Sequence, residues 1–153
     1  MNRMECVNSL ASIIQQEAAA ATALLDALVR EKQALAGNDA GALMDATDRK
    51  NSALVSIERT EAERRRLLQH LAVGALPQDM QALIESLARL QDSAPSTASI
   101  AANWKTIRAT LPRCREINLT NGRIVAAMQR GVQQALDLLR GGRGTVATYG
   151  RSG

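Results

Sequence analysis

The chain has 153 residues, 46% of them hydrophobic and 22% charged, with a formal net charge of +4, no Phe, one Trp and one Tyr. That length suits one domain with enough apolar residues for a core, and the scarcity of aromatics excludes a core built on large rings. Leu, Ile, Val, Met and much Ala must fill it instead; with Gln, Glu and Arg throughout, they point to an all-α chain of closely spaced helices.

The first stretch, MNRMECVNSLASII, scatters polar residues through any would-be apolar region, so no targeting signal is expected and a cytoplasmic protein is predicted. The most apolar run, Ala18 to Leu25, is ended by Asp26 and is too short to span a bilayer. In such a compartment the two cysteines, Cys6 and Cys114, are expected to stay reduced. A first helix is predicted from about Arg3 to Ala36, with Leu10, Ile14, Ala21, Leu24, Leu28 and Leu35 on one face. The segment GNDAG, Gly37 to Gly41, then places a glycine at that helix's end and Asp39 at the next N-cap. So short a connection forces an antiparallel hairpin.

The second helix is predicted from about Ala40 to Val73, which makes residues 3–73 one long hairpin. Its seam reads Leu43, Thr47, Lys50, Leu54, Ile57, Glu61, Arg64, Leu68 and Leu71, and half of it is polar. That composition suits an elongated, solvent-laced pair of helices. Arg64, Arg65 and Arg66 follow Glu58, Glu61 and Glu63, at spacings that read as ion pairs within the helix. Gly74 and Pro77 close it, and a short helix is expected over 78–91, with Met80, Leu83, Ile84, Leu87 and Leu90 apolar.

The loop DSAPSTAS offers Ser96, Thr97 or Ser99 as caps for a last helix over 99–140. Pro112 should kink or break that helix near its middle. Gly141 and Gly142 are expected to stop it, leaving 141–153 as a flexible tail on a helical domain of residues 1–140. The predicted architecture is therefore an antiparallel hairpin or bundle of three to four helices with coiled-coil-like packing.

Within the last helix a heptad seam runs through Ile107, Leu111, Cys114, Asn118, Asn121, Val125, Met128, Val132, Ala135 and Leu139. Two central positions of it are asparagines. Gly122 and Gly131 also lie inside the helical pattern, at about 1 kcal/mol each relative to alanine. A helix built only for stability would avoid all four. Asn121-Gly122 is ordinarily a turn signal, but the seam continues in register on both sides, so the segment is read as helical.

Residues that carry chemistry are scarce. His70, the single histidine, has no second His or Cys at metal-ligand spacing. There is no phosphate-binding glycine loop after a strand, no nucleophile with a base suggested by spacing, and no isolated carboxylate pair. No catalytic residue, metal, cofactor or small-molecule substrate is expected. Asn118-Leu119-Thr120 matches the glycosylation acceptor pattern, which has no meaning in a protein kept in the cytoplasm.

Of 19 basic and 15 acidic residues, nine and two lie from Asn103 onward, so the C-terminal third is the basic part. One reading is a nucleic-acid-binding module, since clustered Arg attracts phosphate. Against it, only Trp104 and Tyr149 interleave aromatic rings with the arginines, and no recognition-helix motif is present. The other reading is a helical adaptor surface for an acidic, amphipathic protein partner, and the pattern favours it.

The long hairpin, the run Asn118-Leu119-Thr120-Asn121-Gly122, an amphipathic helix ending QQALDLL and the terminal Thr148-Tyr149-Gly150-Arg151-Ser152-Gly153 together resemble the FlgN family of flagellar type III export chaperones. The resemblance covers nearly the whole chain. It implies a cytoplasmic chaperone that binds hook-filament junction proteins and delivers them to the flagellar export gate. It further implies that Asn118, Asn121, Gly122, Val125, Met128, Val132, Leu136 and Leu139 meet the exported protein, and that Tyr149 and Gly150 dock on the cytoplasmic domain of the gate. Arg151-Ser152 stand where the family usually carries an acidic residue, which removes a negative charge from that contact. Without cargo, the apolar face has two alternative resting states, folded back on the hairpin or paired in a homo-oligomer.

Overall fold

The computed structural model describes residues 1–90 and 95–151, with side chains described up to residue 141. Four helices follow one another, α1 (Arg3–Ala36), α2 (Ala40–Val73), α3 (Met80–Arg89) and α4 (Pro95–Arg151), and no strand occurs among the described residues. The chain is all-α, as its composition implies.

Local chemistry explains the boundaries. Asn2 opens α1 with a reciprocal capping box: its Oδ1 accepts from the Glu5 N–H at 2.8 Å while its own N–H donates to Glu5 Oε2 at 2.8 Å. At the other end the Gly37 N–H donates to the Gln33 carbonyl at 2.9 Å and the Asp39 N–H to the Ala34 carbonyl at 3.0 Å. The reversal itself falls on Asn38, whose φ of 49° is left-handed, while Gly37 keeps a φ of −85°. Asparagine tolerates that region better than other side chains do. Asp39 then caps α2, its carboxylate accepting from the Ala42 N–H at 3.0 Å, and Asp79 caps α3 in the same way through Ala82 at 2.9 Å.

α1 is the central element, with α2 packed antiparallel on it and α4 packed parallel to it. Near the chain's start the core is thick: Leu10 and Ile14 of α1, Leu68 and Leu71 of α2, Leu83 and Leu87 of α3, and Ile100 and Ile107 of α4 form one buried cluster. Toward the hairpin turn it thins to Leu24, Leu28, Ala53 and Cys114. Alanines at 18, 20, 21, 27, 34, 46 and 53 are buried along the hairpin, so the helices meet through small side chains.

Two carboxylates are buried in this apolar seam. Glu17 receives Arg64 Nε at 2.9 Å and Nη2 at 3.3 Å, and the Arg64 guanidinium lies 5.1 Å from the centre of the Trp104 ring on α4. Glu31, two heptads further along α1, pairs with Lys50, two heptads back along α2, at 2.8 Å. Arg64 therefore reaches across to α1 rather than pairing within α2, which corrects its expected helical ion pair. Arg65 does make one, with Glu61 at 3.0 Å. Lys50 and Arg64, polar positions of the α2 seam, are matched inward and not merely solvated.

α4 is one continuous helix with Pro112 inside it, so of the two expected outcomes, a kink or a break, the break does not occur. Pro112 and Arg108 are both exposed, and the carbonyl deprived of its donor lies on the water side of the helix. The helix begins at Pro95, a residue suited to a first helical position, and so Ser96, Thr97 and Ser99 lie within it instead of capping it. Ser96 Oγ donates to Asn8 Oδ1 of α1 at 2.7 Å. The helical backbone also continues beyond Gly141 and Gly142, where a stop was expected, to Arg151. The side chains of the expected tail after residue 141 lie outside the described residues.

Glu17→Ala should destabilise the fold by about 2–3 kcal/mol, because the half-buried Arg64 then loses its carboxylate. The double replacement Glu17→Met with Arg64→Met should cost much less. Urea unfolding of the two variants checks this, and equal losses would show that the charges are not coupled.

The unpartnered face of α4

α4 is held to α1 by a heptad register. Cys114 Sγ lies 3.7 Å from the Ala21 carbonyl, and one heptad later Asn121 Nδ2 donates to the Leu28 carbonyl at 3.0 Å and to Glu31 Oε1 at 2.9 Å. Both steps have the same sequence separation of 93 residues, which places Ala36, the last residue of α1, level with Gln129. Beyond that level α1 has ended. Every described residue from Gln129 to Gly141 is exposed, so the second half of α4 overhangs the bundle.

This geometry divides the expected partner-binding residues. Asn121 is only 2% exposed and its amide is spent on α1, so it belongs to the internal contact and is withdrawn from the partner-facing set. Its Oδ1 is buried without a hydrogen-bond partner. Asn118 and Gly122 are exposed beside it, and Ile117 rather than Asn118 packs against Leu24 and Leu28. Val125, Met128, Val132, Leu136 and Leu139 are all exposed, Val132 at 63% and Leu139 at 68%, and helical periodicity aligns them on one strip. Val125 and Met128 stand level with the last turns of α1, and from Val132 onward the strip lies past its end. Leu138, 76% exposed, is a further apolar residue that the heptad pattern passed over, about a third of a turn round the helix from the strip.

Two arginines of this stretch stand behind the strip. Arg123, Arg130 and Asp137 follow at heptad spacing on the opposite side of the helix, where Gln133 Nε2 donates to Asp137 Oδ1 at 3.0 Å. Arg123 and Arg130 therefore back the apolar strip, whereas Arg140, one turn after Leu136, borders its outer end. Tyr149 and Gly150, the expected docking residues, have side chains outside the described set.

Among the described residues no group of His, Cys, Asp and Glu is arranged to hold a metal ion, and no helix is long and apolar enough to cross a membrane. Both cysteines are free and buried. Burial pushes the Cys114 thiol up from its ordinary value, with Arg113 and a backbone hydrogen bond opposing in smaller measure, so the reactive thiolate is suppressed.

The longest helix of this bundle thus leaves the core with an apolar face exposed. The sequence model of the FlgN family, described as FlgN protein, matches residues 1–153, the whole chain, and the protein belongs to that family of flagellar export chaperones. No curated protein and no solved structure matches the chain.

The division of α4 into a held and an overhanging half is open to a thiol test. In the native protein Cys114 should resist a maleimide, whereas a Val132→Cys thiol should be labelled as fast as one in an unfolded chain. Equal protection of the two positions would show that the overhanging half is covered.

Proposed function

We propose that the chain binds hook-filament junction proteins on the strip formed by Val125, Met128, Val132, Leu136 and Leu139, with Asn118 and Gly122 at its inner end. It works in the cytoplasm as a binding protein and not as an enzyme, and it delivers its cargo to the cytoplasmic domain of the flagellar export gate. The observation that carries this reading is the overhang: in a member of a flagellar export chaperone family, an amphipathic helix continues past the end of α1, the long helix it packs along. Such a face suits reversible capture of an amphipathic segment, since it is apolar enough to attract one and is not committed to the protein's own core. Met128 adapts readily to differing contours.

Tyr149 and Gly150 are assigned to docking on the gate, on the strength of the family resemblance. A tyrosine offers a rigid ring and a hydroxyl at low entropic cost, and an adjacent glycine lets the backbone approach a groove closely.

Met128→Asp and Val132→Asp should each weaken binding of a purified junction protein by at least about ten-fold, because the carboxylate would be buried unpaired at the contact. Both positions are exposed, so circular dichroism should show the fold intact. If both variants stay helical and bind as the parent does, the strip is not the capture face. Tyr149→Ala should leave melting temperature and capture unchanged while weakening binding to the gate's cytoplasmic domain. A melting temperature lowered by several degrees with normal gate binding would assign Tyr149 to the bundle instead.

A further inference from the structure

The cations of the hairpin are mostly paired: Arg30, Arg49, Lys50, Arg59, Arg64 and Arg65 each hold an Asp or Glu at 2.8 to 3.1 Å. Those of α4 are not. Among the described residues the side chains of Lys105, Arg115, Arg123 and Arg130 are exposed and make no ion pair or hydrogen bond, while Arg108 donates to Gln81 at 3.3 Å. The helical repeat sets these five within about 80° of one another, along about 37 Å of the helix. Their arc points away from α1, since Ile107, Cys114 and Asn121, and with them the apolar strip, lie on the other side of α4. One acid, Glu116, stands at its edge, and Leu119, 57% exposed, lies at its centre.

We propose that this outer face of α4 seats the protein on an anionic membrane surface, with Lys105, Arg108, Arg115, Arg123 and Arg130 at the lipid headgroups and Leu119 inserted between them. Acidic headgroups spread over a plane, and a straight row of cations on one side of a long helix meets several of them at once. A nucleic acid offers the same charge, but the ring beside this arc, Trp104, already carries the Arg64 guanidinium, and Leu119 would face phosphates. Against a bilayer the leucine reaches the apolar boundary below the headgroups, while the arginine stems lie along it. The remaining charge orients the molecule the same way: residues 1–90 carry ten basic and twelve acidic residues, so an anionic surface favours α4 over the hairpin. With α4 seated, the strip on its opposite side stays open. The membrane reading stands on the arc alone; only joint engagement of membrane and cargo rests on the capture function proposed above.

The test is co-sedimentation of the full chain with vesicles of phosphatidylcholine alone and of an equal mixture with phosphatidylglycerol. Binding is expected to the mixture only, weakening as salt rises. Arg115→Gln, Arg123→Gln and Arg130→Gln together should weaken it about a hundred-fold, at about five-fold per cation, and Leu119→Gln by about five-fold. Lys32→Gln, Arg66→Gln and Arg89→Gln together remove the same charge from the other three helices and should change binding little. No binding to the mixture overturns the proposal, and an equal loss in the two triple variants shows diffuse attraction and overturns the face. Tighter binding to a single-stranded RNA or to polyglutamate, lost in the α4 triple variant, assigns the face to nucleic acid or to an acidic protein instead. Unchanged binding by Leu119→Gln overturns the insertion of that leucine. If the parent chain binds no junction protein, the proposed capture function fails, while the vesicle measurement still decides the membrane reading.

Discussion

The fold depends on carboxylates placed where a coiled coil normally keeps leucine. Along α1 one seam position reads Leu10, Glu17, Leu24, Glu31, and the facing position of α2, read backwards, is Leu71, Arg64, Ile57, Lys50. Apolar and ionic layers alternate. A slip of one heptad would set each buried Glu against Leu71 or Ile57 and each cation against Leu10 or Leu24, leaving charges uncompensated in the interior at several kcal/mol apiece. Leu-on-Leu packing alone tolerates such a slip, because one heptad of apolar residues resembles the next. The ion pairs thus contribute register more than net stability.

The same two layers place α4. Arg64 stacks on Trp104 while bound to Glu17, and Asn121 donates to Glu31 while Glu31 accepts from Lys50. The Glu31 layer joins three helices through the α1 carboxylate, and the Glu17 layer joins them through the Arg64 guanidinium. Fixing α4 against α1 also fixes where α1 runs out beneath it, and hence how much of α4 overhangs. The extent of the proposed capture face is set at its inner end, by a buried asparagine and a buried glutamate. A core of alanine makes this workable, since helices that meet through small side chains bring polar groups of three elements within hydrogen-bonding distance.

Much of this was legible in the sequence, for identifiable reasons. The bounds of α1 and α2 follow from their apolar periodicity and from Asp39, all local signals. The uncovered strip was legible as a heptad face, because Val125 to Leu139 keep the period whether or not anything covers them. Asn121 stood in that same period, and nothing local separates a seam asparagine that faces a partner from one that reaches back to Glu31. Glu17 and Glu31 were missed as core residues, since a glutamate on an alanine-rich helix reads as solvent-facing until its cation, 47 or 19 residues away, is brought opposite. Pro112 and Gly141 were overweighted as breakers: the proline faces water, where a lost backbone bond is cheaply replaced, and the glycine sits in a helix that is already nucleated.

Keeping the binding helix outside the core has an energetic consequence for a carrier. A face that first had to be released from the protein's own hairpin would charge every capture with the loss of internal packing, and its affinity would be bounded by that difference. An overhanging strip avoids this cost but exposes Val132, Leu136 and Leu139 to any apolar surface in the cell. The arrangement of α4 limits that exposure in three ways: the strip carries no aromatic residue, it is backed by Arg123 and Arg130, which keep the helix soluble, and it is interrupted at its flank by a helix-weakening glycine. Under the proposed function, a long amphipathic segment that follows the strip from Val125 to Leu139 buries more apolar surface than a short, casual contact. Discrimination between cargo and bystander would then arise from the length of the contact, which the register of the buried layers determines.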